Sequence, residues 1–424
     1  MVTIIWFVIV LLASGAVVRP VLRVVSTALM LALVGPAFAA HAAAGPGTDP
    51  PIVPAPLRTA PNAIPGRYIV TLDDTASVHD VLRALPGVKA RHTYSGAVNG
   101  FSAALTAAQV DTVRNLAGVR AVEEDATVGP PTGGPRPAAG APASASGGRV
   151  AAASWGLDRI DQRALPLDGQ YNTTADGSGV NAYVIDSGID LAHTEFEGRI
   201  TVGFDAVGDG RNGQDCNGHG THVAGILGGA TYGVAPRTNL TAIRVLNCDN
   251  TGALSDVIAG MDYVALHAQQ PAVANISIGA GFSRTTNEAV NRLAEQGIVP
   301  TVSAGNGAED ACTRSPASAE RSIAVGATET DDSKRETSNT GECVWIYAPG
   351  GDITSAKLNG GSEIQSGTSQ AAPHVAGVAA LYKQLHPTTT TETVRLWLAE
   401  QSTKNTITGL PTNTPNRLLH TGNL

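Results

Sequence analysis

Three short blocks, Val184-Ile185-Asp186-Ser187-Gly188, Asn217-Gly218-His219-Gly220-Thr221-His222 and Gly367-Thr368-Ser369-Gln370-Ala371, set an acid, a base and a hydroxyl among residues too small to cover them. A nucleophile, its general base and an orienting carboxylate need such surroundings, so the blocks point to a serine hydrolase. The order Asp, His, Ser along the chain differs from the other common orders, His, Asp, Ser and Ser, Asp, His. Each block alone has a plainer explanation: Asp-Ser-Gly caps turns, and Gly-Thr-Ser-Gln-Ala starts helices. Together they make coincidence remote. His222, three residues after His219, raises the rival of a zinc pair. No nearby Cys or Glu pattern completes one, and His222 is expected to be a buried, hydrogen-bonded histidine. A tetrahedral intermediate also needs donors for its oxyanion. Ser303-Ala304-Gly305-Asn306, after an apolar strand, offers the Asn306 amide.

These residues need elements to hold them. Apolar runs at Val180–Ile185, Leu240–Val245, Val273–Ile278, Ile298–Ser303 and Ile323–Ala327 read as buried strands. They alternate with helical patterns starting at His219, Leu254, Thr286, Ser369 and Thr390. Such alternation implies a parallel sheet covered on both faces, with ligands at the carboxyl ends of its strands. The Ser369 helix is expected to run to about Leu385 with Pro373 in its first turn, its N-terminus favouring negative charge near the Ser oxygen. Upstream, Arg67 to about Val128 reads as a separate unit in the order β-α-β-β-α-β, which is ferredoxin-like. Ser77 caps its first helix, and Thr106 with Gln109 makes a capping box for the second. Pro130–Gly148, almost wholly Pro, Gly, Ala and Ser, is a protease-accessible linker.

With 424 residues the chain can bury a sizeable core. Its formal charge of -8, without any Lys/Arg-rich run, argues against nucleic acid or an anionic membrane as partner. Near the N-terminus, the apolar run Ile4–Ala13 is followed by Arg19 and Arg23, then by Val24–Val34 and small residues around Ala40–Ala43. The second run alone has the layout of a signal peptide, which places the translation start near Val17 or Val18 and predicts export. In an exported chain four cysteines are expected to form disulfides. Their spacing most simply pairs Cys216 with Cys248 and Cys312 with Cys343, though four cysteines allow three connectivities. Each loop would restrict the unfolded chain by about 3–4 kcal/mol.

The blocks resemble the subtilase family, and the span from Ala153 to the C-terminus is similar to its proteinase K branch. The Arg67–Val128 segment resembles that family's inhibitory, fold-assisting propeptides. The resemblance implies a subtilisin-like three-layer α/β catalytic domain with a mostly parallel sheet, preceded by a small ferredoxin-like α+β propeptide. It implies Asp186, His219 and Ser369 as triad and Asn306 as oxyanion donor. Ser277-Ile278-Gly279 matches the edge that lines the first specificity pocket, beside Ala304 and Gly305, and Gly252 matches the opposite edge. Between them an extended peptide would add a strand. Where the family usually has a second Gly, Ala280 stands, and its methyl would narrow the pocket. Trp155-Gly156-Leu157-Asp158-Arg159-Ile160-Asp161-Gln162 and Leu167-Asp168 resemble the mature start of aqualysin-like enzymes. That likeness implies a structural Ca2+ on Asp158, Asp161, Gln162, Asp168 and Gln170, and the same two disulfides. Asp205, Asp209 and Asp215 are candidates for a second Ca2+. Trp345 stands where the proteinase K calcium site has an Asp.

The expected organisation is a signal region (1–43), a Pro-rich leader (44–66), a propeptide (67–129), a linker and processing region (130–152) and a catalytic domain (153–424). The expected product is a secreted, monomeric serine endopeptidase without organic cofactor. Its own propeptide folds and inhibits it and is cut off near Val150–Ala153. Uncharged pocket segments predict apolar or aromatic side chains before the scissile bond. A serine esterase or transacylase on the same triad is the first alternative, separable by comparing amide with ester substrates. A catalytically inactive inhibitor or binding protein is the second, separable by labelling Ser369 with a fluorophosphonate.

Overall fold

The computed structural model describes residues 53–129, 136–137 and 150–424. The expected signal region and nearly all of the Pro130–Gly148 linker lie outside these residues.

In the N-terminal part, strands β1 (Leu57–Arg58), β2 (Ala63–Leu72), β3 (Ala90–Tyr94), β4 (Gly100–Ala104) and β5 (Val119–Val128) accompany helices α1 (Val78–Arg83) and α2 (Ala107–Arg114). The sheet order is β1-β5-β2-β4-β3, with β1 parallel to β5 and the other pairs antiparallel. Ser77 accepts from the Asp80 N–H, and Thr106 and Gln109 form the reciprocal capping box. Ala97 and Val98 precede β4 in a bend and pair with no strand among the described residues. The reason is tertiary: the Ala97 N–H goes to the Asp262 carboxylate instead of to a neighbouring strand. One sheet face buries Val70, Leu72, Phe101 and Val122 against α1 and α2, the latter through Val113. From the other, Ile69, Tyr94 and Val128 run into the core of the larger part.

The larger part holds α3 (Trp155–Asp161), β6 (Asn181–Asp186), β7 (Ile200–Asp205), α4 (His219–Gly228), β8 (Asn239–Arg244), α5 (Leu254–His267), β9 (Ala272–Ile276) and α6 (Arg284–Glu295). It continues with β10 (Val299–Ser303), β11 (Ile323–Thr328), β12 (Ile346–Pro349), α7 (Thr368–Leu385), α8 (Thr391–Gln401), β13 (Thr403–Lys404) and β14 (Arg417–Leu418). Among the described residues these strands form a nine-stranded sheet, β7-β8-β6-β9-β10-β11-β12-β14-β13, parallel except for the last pair. The expected strands and helices are present, with ends shifted by up to two residues. β7 is an addition: only half-buried at the sheet edge, it lacks the apolar run that marks the central strands.

The strands are buried on both faces, one face against α4 and α7, the other against α5 and α6. Three layers result, and the chain crosses to the other side of β6 between β8 and β9. Asp186 ends β6, Ser277 follows β9 and Ser303 ends β10, so the candidate residues gather where the fold leaves a crevice.

Pro373 is not in the first turn of α7 but is its sixth residue. Lacking an N–H, it leaves the Ser369 carbonyl without its helical donor. The Ser277 hydroxyl supplies the missing bond at 2.9 Å. Val150–Ala151, where the expected processing bond lies, pairs with Gln170–Tyr171.

Candidate active site

Asp186 is wholly buried, and its Oδ1 accepts from the Ser187 N–H and from His219 Nδ1, each at 2.7 Å. Its Oδ2 has no partner. His219 opens α4, which approaches the Asp186 turn so closely that a Cβ on Gly220 would overlap the carbonyl oxygen of Gly188. Asp215, 3% exposed, locks the two segments together. Its Oδ1 accepts from Ser187 Oγ (3.0 Å) and from the N–H groups of Asn217 and Gly218, and its Oδ2 from the N–H and Oγ1 of Thr221. Ser187 Oγ in turn accepts from the Gly220 N–H. Burial opposes charge on His219. The charge and hydrogen bond of Asp186, with Asp215 behind, outweigh it and hold the imidazole above the ordinary histidine value. His222 is buried, its Nε2 between the carbonyls of Ile353 and Glu363, and burial lowers its pKa to about 3.

Asp215 is thus engaged by hydrogen-bond donors. Asp205 and Asp209 are bound by the fully buried Arg244 guanidinium, at 3.1 and 2.6 Å. In this arrangement the Arg244 side chain supplies the positive charge beside Asp205 and Asp209. Trp345 is likewise sandwiched between the guanidiniums of Arg395 and Arg417, 4.1 and 4.8 Å from its ring centre.

Ser369 is the second residue of α7. Ser277 contacts it twice: the Ser277 hydroxyl donates to the Ser369 carbonyl, and the Ser369 hydroxyl donates to the Ser277 carbonyl at 3.3 Å. Behind Ser277 a buried relay continues, from Asn275 Nδ2 to Ser277 Oγ and from Thr301 Oγ1 to Asn275 Oδ1. Asn306 Oδ1 accepts from the Thr368 N–H at 2.9 Å, leaving the amide NH2 beside Gly367 at the start of α7. Thr368 Oγ1 accepts from the Gly305 N–H. Asn339, also buried, accepts from the N–H groups of Gly307 and Glu309 and donates to the Ala304 carbonyl, fixing the loop that carries Asn306. Sequence reading missed Asp215 as a scaffold, and Asn275 and Asn339 entirely. A lone Asn has no local signature.

A cleft of about 660 Å3 runs beside these groups, lined by Gly279, Ala280, Gly281, Ala304, Gly305 and Asn306 among others. The segments expected to form the pocket, Ser277-Ile278-Gly279 and Ala304-Gly305, carry no charge, while Glu309 and Arg314 also line the cleft. They neutralise each other through hydrogen bonds of 2.7 and 2.9 Å. Ile278 is buried, and its carbonyl accepts from Ser303 Oγ at 3.4 Å.

The end of β5 occupies this groove. Val128 pairs antiparallel with Gly252, Thr127 with Ala253, and Gly129 bridges Gly279 on the opposite edge. Upstream, two acidic residues of β5 meet helix starts: Asp125 accepts from the N–H and Oγ of Ser255 in α5, and Glu123 from those of Thr285 in α6. Asp262 of α5 answers by accepting from the N–H groups of Ser95, Gly96 and Ala97.

Disulfides join Cys216 to Cys248 and Cys312 to Cys343. Among the described residues no three His, Cys, Asp or Glu side chains form a metal-ligand group. At the end of α3 and in the loop after it, Asp158 accepts from the N–H groups of Asp168 and Gly169, Asp161 from Asn172, Gln162 Oε1 from the Asp168 N–H, and Asp168 from the Gln170 N–H. Burial, with Asp168 nearby, holds the carboxyls of Asp158 and Asp161 above the usual carboxylate range.

A buried Asp–His pair and a helix-start serine beside a strand-binding groove define a hydrolase that acts on extended peptides. The subtilase family model matches residues 177–418, more than half the chain, and the peptidase inhibitor I9 model matches residues 67–129. The chain belongs to the subtilase family. It is 44% identical over 388 residues to an extracellular serine proteinase of Thermus sp. (strain Rt41A), covering 85% of this chain and 91% of that one. It is 39% identical to alkaline serine exoprotease A of Vibrio alginolyticus, covering 85% and 68% respectively. A solved cold-adapted subtilisin-like serine proteinase superposes with a TM-score of 0.62 at 47% identity, over 63% of this chain and 97% of that chain.

Proposed function

We propose that this chain is a secreted serine endopeptidase of the proteinase K branch, close to the aqualysin-like enzymes, made as a zymogen that processes itself. The observation that carries the reading is Thr127–Gly129, held as a strand between the Gly252 and Gly279 edges as a substrate would be. Export follows the two bacterial relatives, one of which is named extracellular.

In the reaction, Ser369 Oγ leaves the Ser277 carbonyl and attacks the peptide carbonyl carbon while His219 Nε2 takes its proton. Asp186 keeps the imidazole in the productive tautomer and stabilises the imidazolium. The Asn306 NH2, oriented through its pinned carbonyl, donates to the oxyanion. His219 then returns the proton to the leaving amine, and water repeats the sequence on the acyl-enzyme. Apolar or aromatic side chains fit before the scissile bond, because the pocket charges are mutually paired and Ala280 adds a methyl to its wall.

Residues 67–129 act as a ferredoxin-like inhibitory propeptide and folding aid, followed by a processing region at 130–152 and a monomeric catalytic domain at 153–424. Gly129 marks the point downstream of which the first cut falls. At the end of α3 and in the loop after it, Asp158, Asp161, Gln162, Asp168 and Gln170 would hold a structural Ca2+. All are oxygen donors, and a cation would relieve the repulsion among three neighbouring carboxylates.

Wild type and Ser369→Ala chains, produced side by side, test the reading by mass spectrometry. The wild type should release the segment ending downstream of Gly129 and cut a denatured protein after apolar or aromatic residues. Ser369→Ala should stay whole; unaided maturation of that variant, or wild-type cuts mainly after Arg or Glu, would refute the corresponding part.

A further inference from the structure

Residues 53–62 of the Pro-rich leader are folded over the strand that fills the groove. It lies outside the inhibitor match, which begins at residue 67. Ala55 exchanges hydrogen bonds with Arg114, its N–H to the Arg114 carbonyl and its carbonyl from Arg114 Nε, which anchors the leader at the end of α2. The Val122 N–H then donates to the Pro56 carbonyl, and β1 runs parallel to β5 along the edge that β2 does not cover. Arg58 sits 3.9 Å from Glu123, the carboxylate that also holds the start of α6.

From Arg58 the chain crosses β5 and enters β2 on its other side, where Ala63 pairs with Ala126. The crossing is fastened at three points. The Ala60 N–H donates to Glu124 Oε2, the Thr127 N–H donates to the Asn62 carbonyl, and Pro61 lies against Gly281 so closely that a Cβ there would meet its ring. Asn62 lines the cleft. Alternate residues of a strand direct their N–H and C=O groups to the same side. Thr127 is held there by Asn62, and Gly129 by Gly279. Pro61 and Asn62 therefore extend the Gly279–Gly281 edge along the groove-filling strand. Fully extended, the segment could not place Arg58 and Ala63 on opposite sides of β5. Asn62, in the left-handed region at φ 58°, makes the turn.

We infer that residues 53–62 are a strap, a second inhibitory contact by which the chain's own leader clamps β5 in the substrate groove, and that the outer wall of the specificity pocket at Gly281 is the docking surface for its proline. The inference rests on the zymogen reading and adds a regulatory element to it. Because the strap is joined to the inhibitory segment and not to the mature enzyme, it acts after the first cut, slowing release of the severed segment. An enzyme freed of that segment is chemically the same whatever the leader's sequence.

The test compares full-length wild type, Arg58→Ala with Pro61→Ala, a deletion of residues 53–62, and Ser369→Ala. The interval between the first cut, followed on a gel, and the onset of peptide-amide hydrolysis is measured, and the final active enzyme is titrated with a sulfonyl fluoride. The double variant and the deletion should both shorten the interval, by roughly tenfold for the deletion, with an unchanged final amount of enzyme. An unchanged interval in both overturns the strap, and so does an unchanged interval with less enzyme, which would make the leader a folding element only. Cleavage of the Ser369→Ala chain would instead refute self-processing, whatever the intervals.

Discussion

His219 owes its proton affinity to a contest in which burial favours the neutral ring and two carboxylates favour the cation. The carboxylates prevail, so its pKa lies above the ordinary histidine value. The base must be neutral to accept the Ser369 proton. Activity is therefore lost as pH falls through that raised pKa, and the acid limb of kcat/KM should lie above about 6.5. Asp186→Asn removes the dominant attraction and leaves burial opposed only by Asp215. Its limb should move to lower pH while kcat falls on the order of ten-thousandfold. A pH profile of the variant with the limb in place would refute the assignment. At this scale the sequence was legible for Asp186, His219, Ser369 and Asn306, because each is framed by small residues. Asp215 was not: four of the five hydrogen bonds to its carboxylate come from the neighbouring Asn217, Gly218 and Thr221, but the fifth, from Ser187 Oγ, exists only because the segment folds back onto the Asp186 turn, which spacing alone does not reveal.

The helix that carries Ser369 is incomplete by itself. Pro373 withholds a donor, and the Ser277 hydroxyl from the neighbouring β9 edge replaces it, so sheet and helix are joined at the nucleophile's own carbonyl. Removing that hydroxyl leaves a buried carbonyl and the Asn275 amide without partners. Ser277→Ala should cost about 1–3 kcal/mol, measured by denaturant unfolding in the Ser369→Ala background to prevent autolysis. Adding Pro373→Ala restores an N–H within the helix and should recover part of the loss. A double variant no more stable than Ser277→Ala would sink the explanation. The proline was visible in the sequence, but its position in α7 depended on where the helix begins, and that was settled by Asn306 and Gly367 at its start.

Across the whole molecule, the N-terminal part and the catalytic part share one core, with Ile69, Tyr94 and Val128 buried beside α5 and α6. Release of the inhibitory segment therefore uncovers apolar surface and two helix starts. The mature enzyme must stand on its own sheet, its two disulfides and the loop after α3. If that loop holds Ca2+, a chelator should lower the thermal midpoint of the inhibitor-treated mature enzyme by roughly 5–10 °C. Asp158→Ala should abolish the difference. An equal midpoint with and without chelator would remove calcium from this loop.

By itself the sequence pointed to the candidate reactive residues, the alternation of buried strands and helices and the inhibitory unit. These are local signals, carried by small residues around a reactive group and by periodic apolar patterns. Only the tertiary structure decided that Asp205 and Asp209 serve Arg244, that Glu309 and Arg314 cancel beside the cleft, and that the leader crosses β5. Such pairings join residues far apart in the chain, and which partner a charge or a backbone N–H finds depends on the order of strands in the sheet. No spacing in the sequence encodes that order.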